Sequence, residues 1–306
     1  MLKYILKRLL LGIATLFALM TITFFLMHII PGSPFAGETS RLSAEVKRKL
    51  IEAYQLDKPI WYQYMTYLKN VFRGDFGTSL NRKGTSVMSI IGKGLPWTMK
   101  LGGVAFIVAM VLGIALGVVS AFSKKQWVQN SAAFIATIGV SVPSFLLALL
   151  LMYVFGVRLD LLPLIGLQSW KHYIMPSLAL ALGPIAMISR LVRSSLNEEM
   201  RQDYMILARA KGTSALRVVL HHALKNALIP VITYAGPLLA TLLTGSFVVE
   251  TMFTVPGIGA EFVSSVSNRD YTMIMALTII YGAMIIAANI ITDLITAAVD
   301  PRVRLK

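Results

Sequence analysis

Six uncharged stretches, residues 9–30, 101–122, 131–157, 173–189, 226–249 and 271–292, decide what this chain can become. At about 1.5 Å of rise per residue, helices of these lengths match a hydrocarbon core about 30 Å thick. A chain that is 56% hydrophobic and 14% charged, with mean hydropathy +0.71, is too apolar for an ordinary soluble domain. The sequence therefore predicts an all-α, polytopic integral membrane protein with six transmembrane helices.

The charges between the runs orient them. Lys3, Lys7 and Arg8 precede the first, and Lys124 and Lys125 separate the second from the third. Arg190, Arg193, Arg201, Arg209, Lys211, Arg217 and Lys225 lie between the fourth and fifth, and Arg302, Arg304 and Lys306 follow the sixth. Short loops rich in lysine and arginine stay in the cytoplasm, which places both termini and these two loops inside. The formal charge of +15 then belongs to a membrane face beside anionic lipid, and no nucleic-acid partner is expected. The first run exceeds the apolar core of a signal peptide, about 7–15 residues, and ends in His28 and Pro31. It reads as a retained span with His28 as a neutral interfacial residue. The chain has no cysteine, which excludes a disulfide framework, a thiolate nucleophile and a Cys metal site.

Residues 31–96 form the long polar stretch, placed outside because the charge rule acts mainly on short loops. Within it Val46, Leu50, Ile51 and Tyr54 mark one helix face, and Ile60, Tyr64, Leu68 and Phe72 another, predicting a small helical cap. Trp61, Tyr62, Tyr64 and Tyr67 read as interfacial packing more than as a peptide contact. In the second span Gly102, Gly103, Gly113 and Gly117 offer close helix contacts. Pro143 predicts a kink in the third span, and Pro176 and Pro184 lie in the fourth. Residues 158–172 and 250–270 read as outer loops. Two units follow, residues 1–95 with the first span and the outer cap, and residues 96–306 with five spans and a cytoplasmic loop over 194–228.

That loop has the form of a docking element. Residues 198–211 are helix formers ending in Arg209, Lys211 and Gly212, a helix stop in which cations meet the carbonyl end of the dipole. Thr213 and Ser214 are N-cap candidates for a second helix through Leu216, Val219, Leu220 and Leu224. Small side chains at Ala208, Ala210 and Gly212 let another protein approach the bend closely.

The spacing of Ala208, Gly212, Leu224 and Pro230, with the run ARAKG, resembles the cytoplasmic coupling loop of bacterial ABC importer permeases of the oligopeptide, dipeptide and nickel branch. Ile206 and Leu207 stand where the general motif has Glu and Ala, and Lys225 where it has Pro. PGSP at residues 31–34, GDFGTS at 74–79, PGIG at 256–259 and NRDY at 268–271 are similar to segments of the same family. PGSP, continued as FAGE, resembles the B-type subunit of the oligopeptide branch more than the dipeptide one. The resemblance implies the type I importer permease fold and residence in the bacterial inner membrane, with peptides, oligopeptides first, as substrate. It implies a second, homologous permease subunit, two cytoplasmic ATPase subunits and an external peptide-binding protein. ATP and Mg would sit on the ATPases, with no cofactor or metal on this chain. Tyr204, Ala208, Arg209, Ala210, Lys211, Gly212 and Arg217 are the coupling residues it implies; the substrate path stays open.

The residues themselves lack catalytic chemistry. Lys211-Gly212-Thr213-Ser214 has its lysine before the glycine, so it is not a phosphate-binding P-loop. His221 and His222 are neighbours and diverge by about 100° on a helix, which makes a shared metal unfavourable. Asp293 and Asp300 lie near the inner end of the last span. A secondary transporter commonly carries an ionisable relay inside its spans, and these six runs hold no Lys, Arg, Asp or Glu. A channel needs a selectivity filter, and none is legible. The other readings are a carrier or channel working without ATP, and a membrane anchor.

Overall fold

The structure, a computed structural model, describes residues 2–29, 45, 48, 51–52, 55–82, 84–123, 125–205 and 223–299. Apart from one isolated bridge between Thr78 and Ser86, these residues are helical or irregular. Helix α1 covers Leu2–Ile29, α2 Ile60–Phe72, α3 Val87–Phe122, α4 Gln126–Ser141 and α5 Ser144–Leu151, which runs on as a π-helix over Met152–Arg158. Helix α6 covers Trp170–Glu199, α7 Leu224–Ala227, α8 Ile229–Leu243, α9 Phe247–Met252, α10 Ile258–Ser267 and α11 Tyr271–Val299. Five helices are long and apolar enough to cross a membrane, and the pair α4 and α5 makes a sixth crossing if the two count as one.

That pair is bent by 111°, far beyond the expected kink. Pro143 offers no N–H to α4 and pushes the preceding residue out of the helical region, and Val142 is extended at φ −91°, ψ 122°. With its own φ at −58°, Pro143 then opens α5.

Helix α3 begins well before the predicted start. Its 36 residues rise about 54 Å, more than a hydrocarbon core of about 30 Å, so its first turns, with Lys93 and Pro96, project outward. Lys100 lies 5.2 Å above the Tyr173 ring. The fourth span also runs long, and Arg190 and Arg193 belong to α6 rather than opening the loop. Arg190 donates to the Ala136 carbonyl and Arg193 to the Gln129 side-chain oxygen, each at 3.0 Å, which pins α6 to α4.

The core lies where α3 and α6 press together. A Cβ at Gly113 would stand 2.7 Å from Ile188, and one at Gly117 would stand 2.6 Å from Val192 and 2.8 Å from the Ser189 carbonyl. Gly102 faces the Leu242 carbonyl of α8. Gly103 faces nothing within 4 Å, so three of the four expected contact glycines are contacts and it is not. Helix α11 packs on α8 and carries α1 on its other side, where a Cβ at Gly12 would meet Ile286 at 2.7 Å. Arg8 and Asp293 tie the inner ends of α1 and α11 at 3.1 Å.

The outer cap is helical in α2, but the predicted face is only partly the buried one. Tyr64 is buried against Phe24 and Phe25, whereas Phe72 is 76% exposed and Ile60 48%. His28 joins the cap to α1, with Nδ1 at 2.8 Å from the Phe24 carbonyl and Nε2 at 3.1 Å from Gln63 Oε1. The face read at Val46, Leu50 and Tyr54 lies outside the described residues.

Candidate functional site

The inner end of the bundle presents the base of the loop that the sequence predicts to be a docking element. Helix α6 stops at Glu199 and the chain turns over 200–202, where the sequence predicts one helix through 198–211. The turn brings Tyr204 back onto α6. Its hydroxyl donates to the Glu199 carboxylate and accepts from Asn226 Nδ2 at 3.1 Å, so one side chain joins the end of α6 to α7. Burial, and then the Glu199 hydrogen bond, raises the Tyr204 pKa above the ordinary phenol value. Met205 and Ala223 are both fully buried in one cluster with Leu196, Ala227 and Val231. The two ends of the loop are therefore fixed side by side on the core. Of the predicted coupling residues, Tyr204 is placed at this base. Ala208, Arg209, Ala210, Lys211, Gly212 and Arg217 lie outside the described residues, as do His221, His222 and Asp300.

At the outer end, residues 250–270 are not a loop but two short helices, α9 and α10, around two buried carboxylates. Glu250, one residue past the fifth uncharged run, is 0% exposed. It accepts from Thr98 Oγ1 of α3 and from the Gly259 N–H, both at 3.0 Å, while Thr98 Oγ1 accepts the Ile258 N–H at 2.9 Å. Burial raises the Glu250 pKa against these hydrogen bonds, which pull it down. The PGIG segment wraps this acid. A Cβ at Gly257 would collide with Glu250 Oε2 and Thr98 Oγ1, and one at Gly259 would lie 2.9 Å from Glu250 Oε2. Gly245 supplies the turn from α8 into α9 at φ +83°, a region glycine enters without strain.

The second carboxylate, Asp270 of NRDY, is 3% exposed. It accepts from the Ser79 hydroxyl, from the Leu80 and Met273 N–H groups at 3.2 Å and from Thr272 Oγ1 at 2.9 Å. Arg82 pairs with Glu261 at 2.6 Å beside it. The GDFGTS turn is thereby fastened to the start of α11. Sequence reading of charge-free spans missed both acids, because the PGIG and GDFGTS motifs that meet them are brought to them only by the fold. Among the described residues no group of His, Asp and Glu side chains is placed to hold a metal ion.

Among the described residues the arrangement has neither a nucleophile with a base nor a nucleotide cradle. It is a helical bundle with an outer collar of short helices and, at the other end, a basic loop whose two ends are held on the core. Residues 113–305 match the family described as binding-protein-dependent transport system inner membrane component, and residues 1–102 match the N-terminal membrane component of such systems. The chain belongs to this family and is a multi-pass inner membrane protein. Its particular relatives are peptide permeases. It is 44% identical over the full length of both chains to the dipeptide transport system permease protein DppB of Lactococcus lactis. It is 42% identical to the oligopeptide transport system permease protein OppB of Escherichia coli K12, over 99% of this chain and 100% of that one. The fold is shared with a chain of the MetNI methionine ABC transporter, at TM-score 0.56 and 21% identity, over 70% of this chain and 97% of that one. The type I importer permease expectation therefore holds, and the chain is a permease subunit of a transport system.

Proposed function

We propose that this chain is the permease subunit of an ABC importer that carries peptides, oligopeptides among them, across the bacterial cytoplasmic membrane. The observation that carries this reading is the full-length identity to both dipeptide and oligopeptide permeases. The partners are a second, related permease subunit, two cytoplasmic ATPase subunits that hold ATP and Mg, and an external peptide-binding protein. The loop bearing Ala208, Arg209, Ala210, Lys211, Gly212 and Arg217 docks in the ATPases, and Tyr204 anchors it to α6 and α7. Closure of the ATPase pair on ATP pulls the loop, the bundles rotate, and the path opens outward to receive peptide from the binding protein. Hydrolysis resets the bundles. The uncharged spans give a permissive path, so peptide preference resides in the binding protein.

The test is Gly212→Asp in the assembled transporter. A side chain at a left-handed helix stop costs about 1 kcal/mol, and a carboxylate adds bulk and negative charge among the loop cations. The expected result is normal membrane insertion with ATP hydrolysis that no longer responds to loaded binding protein. Unimpaired peptide uptake by this variant would remove Gly212 from the coupling role.

A further inference from the structure

Between α1, α2, the 74–82 turn and the start of α11 lies a cavity of about 480 Å³ that none of the roles above uses. Its volume is that of a small-molecule site, commonly about 300–1,000 Å³. Four aromatic residues, Phe24, Tyr67, Phe76 and Tyr271, line it, with Phe24 and Tyr67 stacked at 5.6 Å. Asp75, an exposed residue, is the one formally charged side chain among its described lining residues; no lysine or arginine accompanies it, and the ring of His28, also in the wall, is held by the Phe24 carbonyl and Gln63. One Asp75 oxygen accepts the Gly77 N–H at 2.8 Å, and the other, on an exposed side chain, has no partner among the described residues and is left to solvent or a ligand. The side-chain amide of Asn70, also in the wall, likewise has no partner among the described residues.

These features select a sign and a shape. A lone carboxylate beside aromatic faces attracts a cation, because ring quadrupoles present negative faces, and it repels carboxylates and phosphates. The apolar walls favour a cation carried on hydrocarbon over a hydrated metal ion. We propose that this cavity binds a primary ammonium group on an apolar body, with the ammonium on Asp75 and the body against Phe24, Tyr67, Phe76 and Tyr271. Two sources share that chemistry, a free amine and the amino end of a peptide, and the second rests on the peptide reading above.

The experiment is calorimetric titration of the full chain in lipid nanodiscs with phenethylamine, with the tripeptide phenylalanyl-alanyl-alanine, and with its N-acetyl form. Phenethylamine is expected to bind, with affinity falling at least tenfold in Asp75→Asn. That variant keeps the oxygen that accepts the Gly77 N–H, so the turn persists. Phe76→Ala is expected to weaken binding about threefold with the charge intact. Binding of the tripeptide but not its acetylated form assigns the site to peptide ends, and binding of phenethylamine alone assigns it to free amines. Equal affinity of wild type and Asp75→Asn, or no binding of either amine, overturns the proposal. ATP-driven peptide uptake by the wild-type transporter, measured in parallel, keeps the two readings apart: uptake with an empty cavity rejects only the site, and an occupied cavity without uptake rejects only the transport reading.

Discussion

Glu250 shows what one buried acid does just beyond the end of a membrane span. It holds α3, α9 and the PGIG turn together through Thr98 and the Gly259 N–H. Glu250→Ala strands that N–H in a buried site, which costs about 1–3 kcal/mol for an unpaired donor, and opens a void besides. A lowered thermal midpoint in detergent checks this, and an unchanged midpoint would mean that the collar does not depend on the acid. The pH dependence follows from the direction of the shift. The folded pKa is raised above that of a free glutamate, about 4.3, so the stabilisation is complete below that value and is lost as pH rises through the folded one. The midpoint of wild type minus that of Glu250→Gln, which does not titrate, should therefore be largest near pH 4 and shrink on raising the pH. A difference that grows with pH would reverse the assignment. Glu250 was hard to read from sequence because an acid at the end of an apolar run resembles an ordinary loop charge, and only the fold brings Thr98 to it from 152 residues away.

At the scale of elements, the α3 and α6 contact is the part most open to a controlled test. Gly117→Ala must separate the helices because its Cβ would overlap Val192 and the Ser189 carbonyl, whereas Gly103→Ala meets nothing. Replacing glycine in a helix otherwise gains about 1 kcal/mol of helix propensity. The account predicts a lower midpoint for Gly117→Ala and an equal or higher one for Gly103→Ala; equal shifts would contradict the packing. The third span became a pair bent by 111°, and the other five of the six were legible as single helices because long uncharged runs have no other home. Their ends were not, since the outer turns of α3 carry Lys93 and the inner turns of α6 carry Arg190 and Arg193, and charge marks a water boundary rather than a helix end. The glycine pattern gave candidates without a direction, so Gly103 could not be told from Gly102. Proline at 143 signalled a break, while its angle depends on how α5 packs against α6.

For the whole molecule, topology is testable because the chain has no cysteine. Ser79 and Ser265, natural choices from sequence as outer reporters, are 1% and 5% exposed, so Ser267 and, inside, Gln202 are better positions because both are exposed. Ser267→Cys should react with an impermeant thiol reagent in intact cells and Gln202→Cys only after the membrane is opened; the reverse pattern would invert the bundle. The basic segment after α6 was legible as a charge pattern, its helices at 206–222 lie outside the described residues, and the structure adds the base at Tyr204, Met205 and Ala223 that joins its two ends to α6 and α7.

The most direct measurement of the central claim is uptake of a labelled peptide into vesicles that hold this chain with the proposed second permease and two ATPase subunits. ATP is placed on the face of the docking loop and loaded binding protein on the other. The account predicts uptake that requires both and is lost in Gly212→Asp. Peptide uptake by this chain alone, without ATP or binding protein, would contradict it.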